Sequence, residues 1–352
     1  MSDGSKQSGT DEILNPLRTA ADIMNTNVET LNMDNTVKTC LKFMDRKNVR
    51  HAVIVERPEE RGGQPTFVGI VSQRDVLRQT LPEKKQKGND IIDPKALRQL
   101  LSVVVARKPI SASPDTPIPD MIETMINNRI NILPVLDGSK LAGIITTTDV
   151  LRMYQTLDKH LCKLNPKIRK NMTLEQITPL CSEEAVKNFT TLCQPAEKIM
   201  TTEIMYLEPG NAIGVAIEIL SAEKFRHILI ADEEQKLLGI ISDRDILKYL
   251  PFAGKRPTSM VSVFTDYLFK IKPNTINLAQ PLEKLITTAV KHASPDTTCL
   301  EAVMTMMSRK INSLPIVDKD RRILGLITST DLMRSLLDLY PDKNSDEQQT
   351  AN

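Results

Sequence analysis

Cysteine is scarce in this chain: five among 352 residues, an odd number, with none in a Cys-x-x-Cys pair. Cys40, Cys162, Cys181, Cys193 and Cys299 therefore fit reduced thiols in a cytosolic setting better than a disulfide framework, and no His, Cys and carboxylate spacing resembles a metal site. Neither charge sign is in excess, since 46 Lys+Arg against 44 Asp+Glu leave a formal net charge of +2. That balance points to no nucleic-acid or membrane surface. No apolar run approaches bilayer-spanning length, and Met1 to Thr10 lacks the charged and apolar regions of a secretory signal. Also missing are a Walker lysine loop, a Gly-x-Gly-x-x-Gly turn, a nucleophile elbow and a visible catalytic triad. These absences lead us to expect a cytoplasmic protein that is not an enzyme.

What the chain does have is one phrase written four times: Gly69-Ile70-Val71-Ser72-Gln73-Arg74-Asp75, Gly143-Ile144-Ile145-Thr146-Thr147-Thr148-Asp149, Gly239-Ile240-Ile241-Ser242-Asp243-Arg244-Asp245 and Gly325-Leu326-Ile327-Thr328-Ser329-Thr330-Asp331. Upstream of each copy, apolar residues recur at helix spacing, as in Ile118, Met121, Ile122 and Met125, and lead into a short aliphatic run such as Leu133 to Leu136. A second helical pattern follows each aspartate, for example Val150 to Leu157. The repeated unit therefore reads strand, helix, strand, strand, helix.

The copies alternate. Units one and three carry Arg50-His51 and Arg226-His227 before the second strand, with Arg74 and Arg244 beside the aspartate; units two and four carry Ile130-Asn131 and Ile311-Asn312 instead. Duplication of an existing pair leaves this pattern. We expect boundaries at 1–19 for an N-terminal tail, 20–82 for unit one, 83–158 for unit two with its linker and 159–195 for a partly helical linker between pairs. Unit three is expected at 196–251, unit four with its linker at 252–341, and a C-terminal tail at 342–352. The 15 methionines, Met304, Met306 and Met307 among them, are expected in the core and between modules. His160 and His292 match no pattern.

A hydroxyl-x-x-Asp closing a strand after glycine and two aliphatics, four times in one register, resembles the cystathionine β-synthase (CBS) domain. The resemblance covers Ala20 to Leu157 and Ala196 to Pro341 and implies an α/β fold of four CBS units in two pseudo-two-fold Bateman modules. It further implies clefts between paired units that take adenosyl ligands (AMP, ADP, ATP or S-adenosylmethionine) and report to a partner. No stretch here matches an attached catalytic domain, so the expectation is a regulator acting on an unidentified protein target in trans, as a homo-oligomer.

By that resemblance Asp75, Asp149, Asp245 and Asp331 are candidate ribose ligands, because an ionised carboxylate offers two acceptor oxygens to two neighbouring hydroxyls. Ser72, Thr146, Ser242 and Thr328, with the amides of the next helix, are candidate phosphate ligands. Arg50, His51, Arg226 and His227 would face a cleft from across the pseudo-two-fold, pairing Asp149 with Arg50 and His51, and Asp331 with Arg226 and His227. Arg74 and Arg244 would add charge. Adenine would rest near Val28, Ile110, Ile204 and Ala293. Ser/Thr-x-x-Asp is equally a helix-capping pattern, and a scaffold with unoccupied clefts remains the alternative to a nucleotide sensor.

Overall fold

In every copy of the phrase the glycine lies in the second strand of an antiparallel hairpin, directly opposite an aliphatic residue of the first. The pairs are Ile54 with Gly69, Val135 with Gly143, Ile230 with Gly239 and Ile316 with Gly325, and a bulge follows each aliphatic. The structure, a computed structural model, describes residues 17–47, 49–57, 65–73, 75–76, 98–164, 174–177, 183–222, 227–242, 245 and 280–340. Arg74, Arg226 and Arg244 lie outside the described residues.

Unit one comprises α1 (Ala20–Ile23), β1 (Thr30–Asn32), α2 (Val37–Lys47), β2 (His51–Glu56) and β3 (Thr66–Ser72). Unit two comprises α3 (Leu101–Val104), β4 (Ala106–Arg107), α4 (Ile118–Asn127), β5 (Ile132–Asp137), β6 (Lys140–Thr146) and α5 (Thr147–Leu164). After α6 (Leu174–Ile177) and α7 (Glu183–Cys193) come α8 (Ala196–Ile199), β7 (Tyr206–Leu207), α9 (Ile213–Ala222), β8 (His227–Ala231) and β9 (Leu237–Ser242) of unit three. Unit four holds a 3-10 turn (Leu282–Lys284), α10 (Cys299–Arg309), β10 (Ser313–Val317), β11 (Ile323–Thr328) and α11 (Ser329–Leu337).

Local chemistry sets these elements. In α4, Ile118, Met121, Ile122 and Met125 are fully buried at helix spacing. At the start of α10 the Thr298 hydroxyl accepts from Glu301 N–H at 3.2 Å while the Glu301 carboxylate accepts from Thr298 N–H at 3.0 Å. The helices α4 and α10 both end near residues in left-handed conformation, Arg129 (φ 52°) and Lys310 (φ 55°). The first strand of each unit is short. It pairs parallel with the second strand over three residues in unit one and two in unit three, and through single bridges, Ala112 with Val135 and Ala293 with Ile316, in units two and four.

The two units of a pair are tied by reciprocal crossings. The segment after α1 pairs with unit two, Asn25 N–H and C=O exchanging hydrogen bonds with Ile144 at 2.8 and 3.0 Å, while β4 pairs with β3 of unit one. In the second pair Thr201 exchanges bonds with Leu326 and Thr287 with Ile240. This exchange gives each pair of units its pseudo-two-fold symmetry, and it explains the phrase glycine. A Cβ on Gly69 would strike the Ala106 carbonyl, one on Gly143 would stand 2.9 Å from the Asn25 carbonyl oxygen, one on Gly239 would strike Ile286, and one on Gly325 would strike Met200.

The largest core joins the two modules. Ile118, Met121 and Met125 of α4 with Val150, Met153, Tyr154 and Leu157 of α5 pack against Leu300, Val303 and Met306 of α10 and Leu332, Met333 and Leu336 of α11. Two expectations change here. The closing helix of unit two begins earlier and runs further than Val150 to Leu157, and the connecting segment contributes Phe189 and Leu192 of α7 to the shared core. Apolar side chains on one face of α7 make it a structural wedge. Of the adjacent methionines, Met306 is buried but Met304 is 47% exposed, because a straight helix cannot turn residues 304 and 306 to the same side.

Candidate functional site

Each hydroxyl-x-x-Asp turns the chain from the hairpin toward the following helix. Asp75 Oδ2 accepts from Ser72 N–H at 2.8 Å and from the Ser72 hydroxyl at 2.5 Å; Asp149 repeats this with Thr146 at the same two distances. Asp245 Oδ2 accepts from Ser242 N–H at 3.0 Å and its hydroxyl at 2.5 Å, and Asp331 Oδ2 from Thr328 at 2.8 and 2.7 Å. The carboxylate half of the capping pattern is thus present in all four copies, and at the start of α11 both halves are. It has two consequences for the ligand roles expected from the sequence. One carboxylate oxygen is committed to the cap, so no aspartate of the phrase has both oxygens available to a ribose. The hydroxyl proton of Ser72, Thr146, Ser242 and Thr328 is likewise committed, leaving those oxygens able to accept but not to donate to a phosphate.

In the even units an arginine occupies the neighbourhood of the second oxygen. Arg152 pairs with Asp149 Oδ1, and Arg334 Nη1 lies 3.7 Å from Asp331 Oδ1. The first amide of each closing helix is also engaged, Thr147 N–H with the Asn131 carbonyl and Ser329 N–H with the Asn312 carbonyl, both at 3.1 Å. Asn131 and Asn312 stand where units one and three carry Arg50 and Arg226, and the Arg50 carbonyl accepts from Gln73 N–H at 3.0 Å in the same way, so this backbone tie does not depend on which of the two residues is present.

A cavity of about 600 Å³ opens beside the Thr146 corner, where three units meet. Unit one supplies Lys47, Arg50 and His51; unit two supplies Asn131, Ile132, Thr146, Thr147, Thr148 and Arg152; unit four supplies Met306, Met307, Arg309, Lys310 and Asn312. Five lysine or arginine side chains and a histidine share the wall, and among the described residues no carboxylate lines it. Lys47 and Arg152 are paired from outside the cavity by Glu29 and Asp149. A concave site with one sign of charge concentrates anions, and an apolar strip of Ile132, Leu151, Met306 and Met307 completes it.

The cavity therefore brings Arg50 and His51 to the Thr146 helix corner across the pseudo-two-fold, with the Asp149 carboxylate set behind Arg152. In the other module His227 Nδ1 lies 3.5 Å from the Ser313 hydroxyl, and Ser313 is the register partner of Thr328, so the odd-unit histidine again faces the even-unit corner. The four adenine candidates do not share a position. Ala293 is equivalent to Leu31, Ala112 and Leu207, whereas Ile110 stands two residues earlier, 44% exposed, and Val28 and Ile204 three residues earlier. Ala293 and Ile204 also pack against hydrophobic clusters. Lys47, Arg152, Arg309 and Lys310 escaped the sequence reading because the phrase singles out strands and caps, while the first three lie on helices and Lys310 just past the end of one.

Among the described residues no group of three or more His, Cys, Asp or Glu could hold a metal ion, and no helix is long and apolar enough to cross a membrane. Burial pushes the Cys40 and Cys299 thiols up to about 12, which keeps both protonated and poor as nucleophiles or ligands.

Comparison with known proteins agrees with this geometry. A family model for the CBS domain matches residues 20–81, 101–155, 196–251 and 282–338. Protein MJ1225 of Methanocaldococcus jannaschii is 24% identical over 230 residues, which is 65% of this chain and 68% of that protein. Its crystal structure, described as that of a candidate archaeal homolog of g-AMPK, matches with a TM-score of 0.63 at 18% identity over 90% of this chain and 99% of that one. A crystal structure of an uncharacterized conserved protein from Pyrococcus horikoshii matches with a TM-score of 0.53, also at 18% identity, over 91% and 100%. MJ1404, from M. jannaschii too, is 20% identical over 90% of this chain but only 62% of its own length, so the chain spans less than two thirds of that relative. With a CBS model matching more than half of its residues, and hairpin, cap and crossing repeated in each matched stretch, the chain belongs to the CBS-domain family.

Proposed function

We propose that this protein is a regulatory binder of adenine nucleotides, taking one in the cavity between units one, two and four and passing the occupied state to a protein partner in trans. The observation that carries the reading is the convergence of Lys47, Arg50, His51, Arg152, Arg309 and Lys310 on one concave wall beside the Thr146 corner. Phosphate suits such a wall through charge-assisted hydrogen bonds. S-Adenosylmethionine, which has a sulfonium and no phosphate, suits it poorly, so AMP, ADP and ATP are favoured over it. The description of the MJ1225 structure as a candidate homolog of g-AMPK supports a regulatory role.

A ligand touching three units stabilises the arrangement in which they meet, and it shifts that arrangement only by its differential affinity for the two states. On this reading the chain turns over no substrate, acts in the cytoplasm and works as a homo-oligomer. A scaffold with empty clefts is the second reading, favoured by the four self-contained caps. Calorimetric titration with AMP, ADP, ATP and S-adenosylmethionine separates the two. Heat from the phosphorylated ligands that falls about tenfold in affinity on Arg309→Ala supports the sensor, and no heat from any of the four leaves the scaffold.

A further inference from the structure

Asp149 and Arg152 form a lopsided pair on the first turns of α5. The Asp149 side chain is 10% exposed and Arg152 is 58% exposed, and the guanidinium, not the carboxylate, lies on the cavity wall. Because Oδ2 is held by Thr146, the Oδ1 atom that Arg152 covers is the oxygen of Asp149 left for a ligand. A sugar hydroxyl reaching for it meets Arg152 first. The guanidinium is largely in water and has room to swing, and a phosphate offers it a bidentate partner of higher charge. The spacing is repeated through the chain: Arg78, Lys248 and Arg334 follow Asp75, Asp245 and Asp331 by three residues. Of these, Arg334 approaches Asp331 in the same sense, and Arg78 and Lys248 lie outside the described residues.

We propose that Arg152 is a specificity gate: it covers Asp149 Oδ1 until an anionic group on the same ligand draws the guanidinium away, so the site admits a phosphorylated nucleoside and turns away the bare nucleoside. The inference rests on the nucleotide reading of the cavity. It makes the two halves of the ligand interdependent, since the phosphate end uncovers the acceptor that the sugar end needs.

Titration calorimetry of the full chain with AMP and with adenosine, in the wild type and in Arg152→Ala, tests the gate. Loss of a charge-assisted contact is expected to weaken AMP binding about tenfold. Uncovering Oδ1 is expected to tighten adenosine binding about two- to fivefold. The opposite signs are the signature, because a residue that only contacts phosphate, or only supports the fold, cannot improve the binding of adenosine. Both affinities falling together, neither changing, or adenosine staying below detection in the variant would each overturn the gate. Failure of the underlying nucleotide reading looks different: the wild type itself would bind neither ligand.

Discussion

The Tyr154 hydroxyl donates to the Leu332 carbonyl at 2.8 Å, a bond from α5 of unit two to α11 of unit four made inside the core that joins the modules. Tyr154 is fully buried, so the bond has no water to compete with it. Tyr154→Phe is expected to lower the unfolding free energy by about 1 kcal/mol, and Tyr154→Ala by about 3–5 kcal/mol through the void it opens. Urea unfolding followed by circular dichroism would measure both, and equal losses from the two variants would argue against the hydroxyl as a separate contributor.

The phrase glycines should differ in tolerance although they look alike. A methyl on Gly69 meets the backbone carbonyl of Ala106, which cannot move without breaking the crossing, whereas a methyl on Gly325 meets the side chain of Met200 first. Overpacking of this kind costs about 1–3 kcal/mol, and a thioether chain relieves it by changing rotamer. Gly69→Ala is expected at or beyond the upper end and Gly325→Ala near the lower. A thermal melt that ranked them the other way would mean that the crossings are looser than these contacts imply.

Replacing an aspartate of the phrase should weaken the protein before any ligand is added. Asp331→Ala removes the acceptor from both Thr328 N–H and the Thr328 hydroxyl and is expected to cost about 0.5–2 kcal/mol. Asp331→Asn keeps one carbonyl acceptor and should cost less. Thermal unfolding of the ligand-free variants decides this, and no loss from alanine would assign the aspartate to ligand binding alone.

Alkaline pH should destabilise the fold through its thiols. Cys40 and Cys299 are raised from 9.0 to about 12 by burial. Their contribution is intact below pH 9.0; above it the unfolded chain releases thiol protons that the folded chain retains until about 12. Stability therefore falls as pH rises through that window, by up to about 1.4 kcal/mol per pH unit for each thiol. Urea midpoints at about pH 8 and about pH 10.5 measure the slope, and a Cys40→Ala, Cys299→Ala variant should flatten it.

Hairpins, caps and the pairing of units are all legible in the phrase, because glycine, the aliphatic pair and the hydroxyl-x-x-Asp turn act through neighbours close in sequence. The crossing segments also leave a trace, Ala20 to Met24 resembling Ala196 to Met200, but which unit each segment joins is a long-range fact without a local pattern. The first strands are too short for alternation to emerge, and for that reason the adenine candidates fell out of register. Arg309 and Lys310 illustrate the larger limit. In their own unit they end a helix, and they become part of a site for unit two only because α10 and α11 bury their apolar faces against α4 and α5.

The crossing between Asn25 and Ile144 also sets an order of events during synthesis. About 120 residues separate the two partners, and at about 5–20 residues per second a ribosome needs on the order of ten seconds to cover that distance. During that interval the backbone N–H and C=O of Asn25 have no Ile144 to meet, so unit one cannot finish its join to unit two until most of unit two has been made.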